Sequence, residues 1–380
     1  MSTIIRTRSP FFIRTPQEAD SSLSYFQINI TVFGGLSSST EVCDDLYATY
    51  ALQKKPLGAE NSVTVDISEI VNDHLEQIFT GTYSASSAKS SIWVTVATSA
   101  RQSDGQIVPD TSVTSNTYLA QEGYNKFKDG VNYTTEPTVM ISSNYIQYHL
   151  GSTVTIPVNV ERVTSIKWRS GTGVRETDSF TDNGNQNQKI QYAQFTSTTL
   201  LDNVLVTYDS GSTSTITLAP TEECKYPVNK ITFVNRWGAM QDLFFFKKSV
   251  DSLESRSESF NRSIFEARAV QLDPPEEPEQ PCQESLTFNT YSTTAHAKKT
   301  FNANATESVL LNTGFVNELM NPYFEELMVS ENIWLTDSSD NIYPVNLKES
   351  SFTKKTGLND RLINYTMNFE KAFALVNNIR

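Results

Sequence analysis

Histidine and cysteine are scarce in this chain, with three of each in 380 residues. That scarcity removes several kinds of chemistry at once. His74, His149 and His296 stand alone, none with a partner at a metal spacing such as His-X3-His, so no metal ligand is assigned. His74 reads as a packed histidine on an apolar helix face. Cys43, Cys224 and Cys282 are far apart and odd in number, which disfavours a disulfide framework. None has a neighbour that would lower its pKa, so inert thiols are expected. A Gly-X-Ser-X-Gly elbow, a Gly-X4-Gly-Lys-Ser/Thr loop and a Gly-X-Gly-X-X-Gly fingerprint are all missing. Gly171-Thr172-Gly173 lacks a strand-to-helix context and reads as a loop. No catalytic and no cofactor-binding residue is therefore assigned, and no cofactor is expected.

Long apolar runs are missing too. No stretch approaches the roughly 18 residues needed to span a bilayer. Met1 to Arg8 holds no apolar core of signal-peptide length, so synthesis in a cytoplasm and a soluble chain are expected. The Asn-X-Ser/Thr triplets at Asn29, Asn132, Asn261, Asn304 and Asn364 then carry no glycosylation. Positive charge is short: the net charge is −13, and such a surface repels phosphate, so direct binding of nucleic acid is not expected. Lys54-Lys55, Lys247-Lys248 and Lys354-Lys355 read as solvated strand ends.

What is present is material for sheets. Aromatic residues make up 11% of the chain, enough for cores, and the length suits two or three domains. The expected fold is mainly β, with tandem β-sandwich-like domains, the central one immunoglobulin-like, and a C-terminal α+β domain. Residues 1–135 read as a β-rich domain with one helix. Tyr25 to Phe33 alternates like a half-buried strand, and Ser68 to Phe79 has helical spacing with Ser68 as its cap. Residues 136–222 hold five short strands with Trp168 on an early one, which suits an immunoglobulin-like sandwich. No cysteine pair brackets Trp168, which excludes an antibody-type domain. Residues 223–380 form the third unit. There Pro274 to Pro281 reads as an extended acidic connection and Ser285 to Tyr291 as a strand. Thr313 to Met328 reads as a helix striped by Phe315, Leu319, Tyr323 and Leu327, with Pro322 kinking or splitting it. Asn332 to Leu347 reads as a hairpin, and Ile363, Tyr365, Met367 and Phe369 as one face of a closing strand.

The most informative stretch is Ile231 to Phe246, in which two β-prone runs flank a polar break with Gly238: strand, tight connection, strand. Phe244-Phe245-Phe246 reads as a strand buried on both faces. Asp73 with Glu76, and Glu325 with Glu326, read as solvated carboxylates rather than acid/base pairs. Asp182-Asn183-Gly184-Asn185 is like a calcium loop, but the twelfth position is Ala193 instead of glutamate.

At Phe233-Val234-Asn235-Arg236-Trp237-Gly238 the chain resembles virion structural proteins of tailed bacteriophages, components of the tail, baseplate or neck. The resemblance continues at Ile4 to Phe12, at Glu122-Gly123-Tyr124 with Phe127 and Asp129 to Asn132, at Glu307 to Phe315, at Leu327 to Leu335, and at Ser350 to Thr356 with Asn359 to Glu370. It touches all three expected units in patches and brings no catalytic residues. It implies a non-enzymatic subunit, assembled in the host cytoplasm into the virion, whose partners are other copies of itself in a symmetric assembly and other virion proteins. Such assemblies use apolar patches and strand edges, and Ile4 to Ile13 is a candidate arm for donation to a neighbour. Two other readings stand beside this one. A carbohydrate-binding or adhesin-like module would stack sugars on Trp93, Trp168 or Tyr192. A glycoside hydrolase would need two convergent carboxylates in a cleft.

Overall fold

The computed structural model describes residues 2–36, 46–56, 61–83, 89–135, 139–196, 200–264, 268–271, 284–287, 291–357 and 363–376, with residues 268–271 and 284–287 described by backbone alone. Cys43, Cys282, the proline-rich stretch from Pro274 to Pro281, and Asn359 to Leu362 lie outside the described residues. The described chain is mainly β, with several sheets and one small helix near the C-terminus. It packs as two compact units, Met1–Val250 with Leu310–Ala372, and Asp251–Val309 with Phe373–Arg380.

The first unit contains three main sheets. One is ordered Ile4–Arg6, Thr114–Gln121, Ser91–Arg101, Tyr25–Phe33, Leu46–Lys54. The alternation read in Tyr25–Phe33 is real: Phe26, Ile28, Ile30 and Val32 are buried, while the residues between them are half-buried. Ile4–Arg6 pairs in parallel with Thr114–Gln121, and all three of its residues are buried. The expected donated arm is therefore used inside its own chain, because Ile4 and Ile5 complete this sheet and its core.

The second sheet is ordered Gly173–Ser179, Val163–Ser170, Asn203–Tyr208, Thr213–Thr221, Tyr145–His149, and a separate pair is formed by Thr153–Asn159 and Ile190–Thr196. This makes seven strands in a sandwich-like arrangement, two more than the sequence pattern suggested. Trp168 is fully buried between the two sheets, with its ring 5.5 Å from that of Phe195 and its indole N–H donating to Asp178 at 2.8 Å.

The third sheet contains Met240–Phe245, Asn229–Val234, Ile333–Thr336, Ile342–Leu347 and Thr366–Ala374. The hairpin read at Ile231 to Phe246 is present, with Val234 paired to Met240 and Asn229 to Phe245. Phe244, Phe245 and Phe246 are all buried, as are Ile363, Tyr365, Met367 and Phe369.

Both expected helices are shorter than their patterns. The first is only Ser68–Asn72, and Ser68 does not cap it; its amide and hydroxyl donate to Asp66 instead, at 3.0 and 2.8 Å. His74 lies beyond it, with Nε2 2.7 Å from the Tyr50 hydroxyl. The second begins at Asn321 and ends at Met328, after a single 3-10 turn at Glu318–Met320. Pro322 sits in the first turn, where its missing N–H costs nothing, so it starts the helix rather than kinking it. Tyr323 and Leu327 are buried, but Phe315 and Leu319 are exposed, so the four-residue stripe is not one face.

The expected boundaries near 135 and 222 fall inside the first unit. One apolar cluster explains this. Phe79, Val234, Met240 and Trp334 pack together with Tyr83, Tyr192 and Ile342, and so draw on all three expected domains.

The second unit is built differently. Val250–Asn261 and Lys298–Asn312 run antiparallel, with Ser252 Oγ 2.8 Å from Ser308 Oγ and the Arg262 amide donating to the Ala297 carbonyl at 2.9 Å. Leu375 donates to the Ala305 carbonyl at 2.8 Å. Arg268–Gln271 pairs antiparallel with Glu284–Thr287.

Candidate functional site

The densest meeting of buried polar groups lies in the first unit, around the turn Asn235 to Ala239. The turn closes on itself: the Asn235 amide donates to Ala239 O at 2.9 Å, and Gly238 N donates to Asn235 O at 3.0 Å. The Asn235 side chain holds it from inside, with Oδ1 accepting from Trp237 N and Ala239 N, and Nδ2 donating to Met140 O at 2.7 Å and Gln241 Oε1 at 2.8 Å.

Glu122-Gly123-Tyr124 lies against this turn. Tyr124 N donates to Arg236 O at 3.0 Å. Gly123 has φ +141° and Gly238 has φ +78°. A Cβ at Gly123 would stand 2.5 Å from Arg236 O, and a Cβ at Gly238 would collide with Glu122 O. The two backbones approach so closely that only glycine fits on either side.

Cations and aromatic rings complete the junction. The guanidinium groups of Arg6 and Arg236 lie 4.7 and 4.2 Å from the Trp237 ring centre, and that of Arg8 lies 5.4 Å from Tyr124. Arg8 pairs with Glu331 at 3.0 Å, Arg236 with Asp129 at 3.2 Å, and Lys126 with Glu325 at 3.4 Å. Two carboxylates are buried here. Glu122 accepts from Asn332 Nδ2 at 3.1 Å on both oxygens. Glu326 accepts from Ser142 Oγ at 2.8 Å and from the Arg236 amide at 3.2 Å. Burial raises the pKa of both; Asn332 and Arg8 oppose this at Glu122, and Ser142, the Arg236 amide and Lys126 oppose it at Glu326. Burial, with Glu326 nearby, pushes the Tyr124 phenol up to about 12.

The junction brings together patches that lie far apart in sequence: Arg6 and Arg8, Glu122 to Asp129, Asn235 to Gly238, Glu331 and Asn332. Arg6, Arg8, Glu122 to Tyr124, Asp129, Asn235 to Gly238, Glu331 and Asn332 lie in segments that carried the phage resemblance, whereas Lys126, Ser142, Glu325 and Glu326 do not. Reading the residues alone missed Ser142 and the role of Glu326. Glu326 read as solvated together with Glu325, but it is buried on the inner face of the helix Asn321–Met328. The signal was available in the sequence, because Glu326 follows Tyr323 and precedes Leu327 on that apolar face. Chemically, the arrangement is a fastening, in which most of the named donors, acceptors and charges pair within the protein, while Arg236 Nε and Gln241 Nε2 are buried without a hydrogen-bond partner.

Several of the other candidates make internal contacts, while Asp73 lines a cleft of about 750 Å³ together with Asp66, Glu69 and Glu331. At the calcium-like turn the buried Lys189 ammonium donates to the Asp182 carboxylate and the Gly184 carbonyl, with Glu161 at 3.7 Å. The protein's own cation occupies that place. Trp93 is buried and donates to Gly35 O at 3.0 Å, and Tyr192 is half-buried, with its ring 5.4 Å from that of Tyr83 and its hydroxyl accepting from Met240 N at 3.1 Å. Glu76 pairs with Lys89 at 3.4 Å, and Glu325 also pairs with Lys354. A His149 ring nitrogen lies 3.3 Å from Thr221 O. Among the described residues no group of three or more His, Cys, Asp or Glu is placed to hold a metal. The free thiol of Cys224 is exposed. A cleft of about 550 Å³ in the first unit is lined by Tyr83, His149, Lys230, Asp337 and Asp340 among others. Two of its lining groups turn to one carboxylate beneath: Tyr83 donates to Asp242, and Lys230 lies 3.7 Å from the same carboxylate. No helix among the described residues is long and apolar enough to cross a membrane.

No protein-family model matches the chain, and no curated protein matches it.

Proposed function

We propose that this chain is a non-enzymatic structural subunit of a tailed-bacteriophage virion, part of an oligomeric tail, baseplate or neck assembly made through protein–protein contacts. The observation that carries the reading is the junction around Trp237. Four of the segments that resemble virion proteins, Ile4 to Phe12, Glu122 to Tyr124, Phe233 to Gly238 and Leu327 to Leu335, meet there and tie strands and turn together. Residues repeated for a mechanical reason would be placed in this way, because a subunit under load needs its elements cross-tied by interactions of high sequence separation. On this reading its neighbours are other copies of itself and other virion proteins, and its place is the virion after assembly in the host cytoplasm.

The test is the mass of the purified chain by light scattering across a concentration series, with negative-stain images of the same sample. A closed oligomer of defined size is the expected result. A strict monomer that also binds arrayed glycans would replace the reading with the adhesin one.

A further inference from the structure

The cleft of about 550 Å³ in the first unit stands on a floor that the sheet register fixes. Phe244, Lys230, Thr336 and Ile342 lie in one row across four adjacent strands, and all four line the cleft. The middle of the row is polar and its two ends are apolar. With neighbouring strands about 4.8 Å apart, such a row is roughly 14 Å long. The Lys230 ammonium is held from beneath: Nζ lies 5.3 Å from the ring centre of Tyr83, 5.8 Å from that of Phe79 and 3.7 Å from the Asp242 carboxylate. Its one hydrogen bond among the described residues is a long one, to the Tyr83 hydroxyl at 3.4 Å, so the ammonium has N–H groups to give.

The groups around this floor select the chemistry of what the cleft takes. Its walls and mouth carry the hydroxyls of Ser152 and Ser338, the amide of Gln194 and the exposed carboxylate of Asp340. Gln194 Nε2 donates to Tyr83 O at 3.3 Å, which leaves its carbonyl oxygen to accept. An apolar ligand would strip water from these groups and return no hydrogen bond. Ions are disfavoured as well. The charge of Lys230 is matched by Asp242, and the segment after Tyr83, Ser84 to Ala88, adds none. The Asp337 carboxylate is already taken by Ser339 N, Asn341 N and Asn341 Nδ2 at 2.8 to 3.0 Å, and a His149 ring nitrogen turns to Thr221 O. An anion would meet Asp337 and Asp340 at the mouth, and a cation would meet the Lys230 ammonium on the floor. A neutral ligand with hydroxyls on its edges and C–H surface on its faces meets neither penalty. Each sugar hydroxyl both donates and accepts, and the C–H face of a pyranose suits the half-buried Val228 and Ile342.

We propose that this cleft is a binding site for a neutral saccharide, with Lys230 donating to a sugar hydroxyl on the floor, Gln194 and Asp340 accepting from hydroxyls at the sides, and Val228 and Ile342 against the C–H face. The floor lies on strands, so it is formed before the sugar arrives and little ordering is lost on binding. The inference goes beyond the virion reading and does not depend on it, because it concerns what the subunit holds and not what it assembles with.

The test uses the full chain with cellotriose, maltotriose, mannotriose and tri-N-acetylchitotriose as neutral probes, and with trigalacturonate and the chitosan trimer as anionic and cationic controls. Saturation-transfer NMR detects contact, and calorimetry gives the dissociation constant. At least one neutral probe is expected to bind in the millimolar range or tighter, and neither control to bind better. Two variants place that binding in the cleft. Lys230→Met removes the donor on the floor. Ser338→Trp fills the mouth from an exposed turn, so its thermal midpoint is expected to stay at the wild-type value. Each is expected to weaken the bound probe about tenfold or more. Failure of every neutral probe to bind, tighter binding of a charged control, or binding that survives Ser338→Trp would overturn the inference. Light scattering on the same samples keeps the two readings apart. Loss of sugar binding with the oligomer intact counts against the cleft alone, and sugar binding by a chain that does not assemble counts against the virion reading alone.

Discussion

Two long strands of this molecule teach opposite lessons. Tyr25–Phe33 has its apolar residues at every second position, and Phe26, Ile28, Ile30 and Val32 disappear into one core. Val250–Asn261 is longer, yet it buries nothing. Its apolar residues, Val250, Leu253 and Phe260, fall at separations of three and seven, which is a helical spacing and not the period of two of a half-buried strand. The first strand is stabilised by its own chain. The second is held by backbone pairing and has its side chains left over. Strand formation and burial are therefore separable in this protein, and the sequence pattern reports burial.

The largest expected effect comes from truncating one aromatic side chain in each region. Phe233 is fully buried in the hairpin strand Asn229–Val234, and Phe233→Ala is expected to destabilise the fold by about 3–5 kcal/mol. Phe260 is 45% exposed and touches one ring, so Phe260→Ala is expected to cost about 1 kcal/mol or less when the chain is dilute. Urea unfolding of both variants, read at the same concentration, checks the contrast. Equal losses would mean that Phe260 is packed as closely as Phe233 and would break the comparison.

Gly238→Ala sharpens it from the side of the backbone. The new Cβ would strike Glu122 O, and φ +78° is unfavourable for alanine, so a loss of about 2–3 kcal/mol is expected. Gly211 has a similar φ of +79° with open space around it. Gly211→Ala is expected to cost about 1 kcal/mol, from backbone strain alone. The difference between the two midpoints isolates the close approach of the two chain segments at the junction.

The sequence was legible where burial imposed a period. The strand Tyr25–Phe33 and the face Ile363, Tyr365, Met367 and Phe369 follow the period of two, and the hairpin at Ile231 to Phe246 is a pair of short apolar runs buried on both faces. It misled where local pattern was outvoted. Phe315, Leu319, Tyr323 and Leu327 have helical spacing, but Pro322 fixes the helix start after the first two, and these stay in solvent. The junction was legible only as scattered patches. Its parts come from residues more than 200 positions apart, as Glu122 and Asn332 do, and no spacing rule spans that distance. The strand Val250–Asn261 was unreadable because it lacks the burial that writes a pattern. Glu326 was missed because it was read together with the adjacent Glu325 as a solvated pair, although its place on the face of Tyr323 and Leu327 pointed inward.

The smallest expected effect concerns pH, and it also divides the regions. Glu122 and Glu326 have pKa values raised by burial, so the folded state holds their protons more tightly than the unfolded chain does. Stability contributed by such groups is fully present below the unfolded value of about 4.3 and is lost as pH rises through the folded values. Between those limits the junction is therefore expected to strengthen as pH falls, against the usual acid weakening from exposed ion pairs such as Lys89 with Glu76. The effect is small because Asn332, Ser142 and the Arg236 amide already favour the charged forms. Glu122→Gln and Glu326→Gln each remove a titrating group while keeping a carbonyl acceptor. Thermal midpoints measured from pH 7 to pH 5 are expected to show a smaller rise on acidification, or a larger fall, in either variant than in the wild type. Identical pH profiles for all three proteins would show that the two carboxyls titrate alike folded and unfolded, and the junction would then be solvated instead of closed.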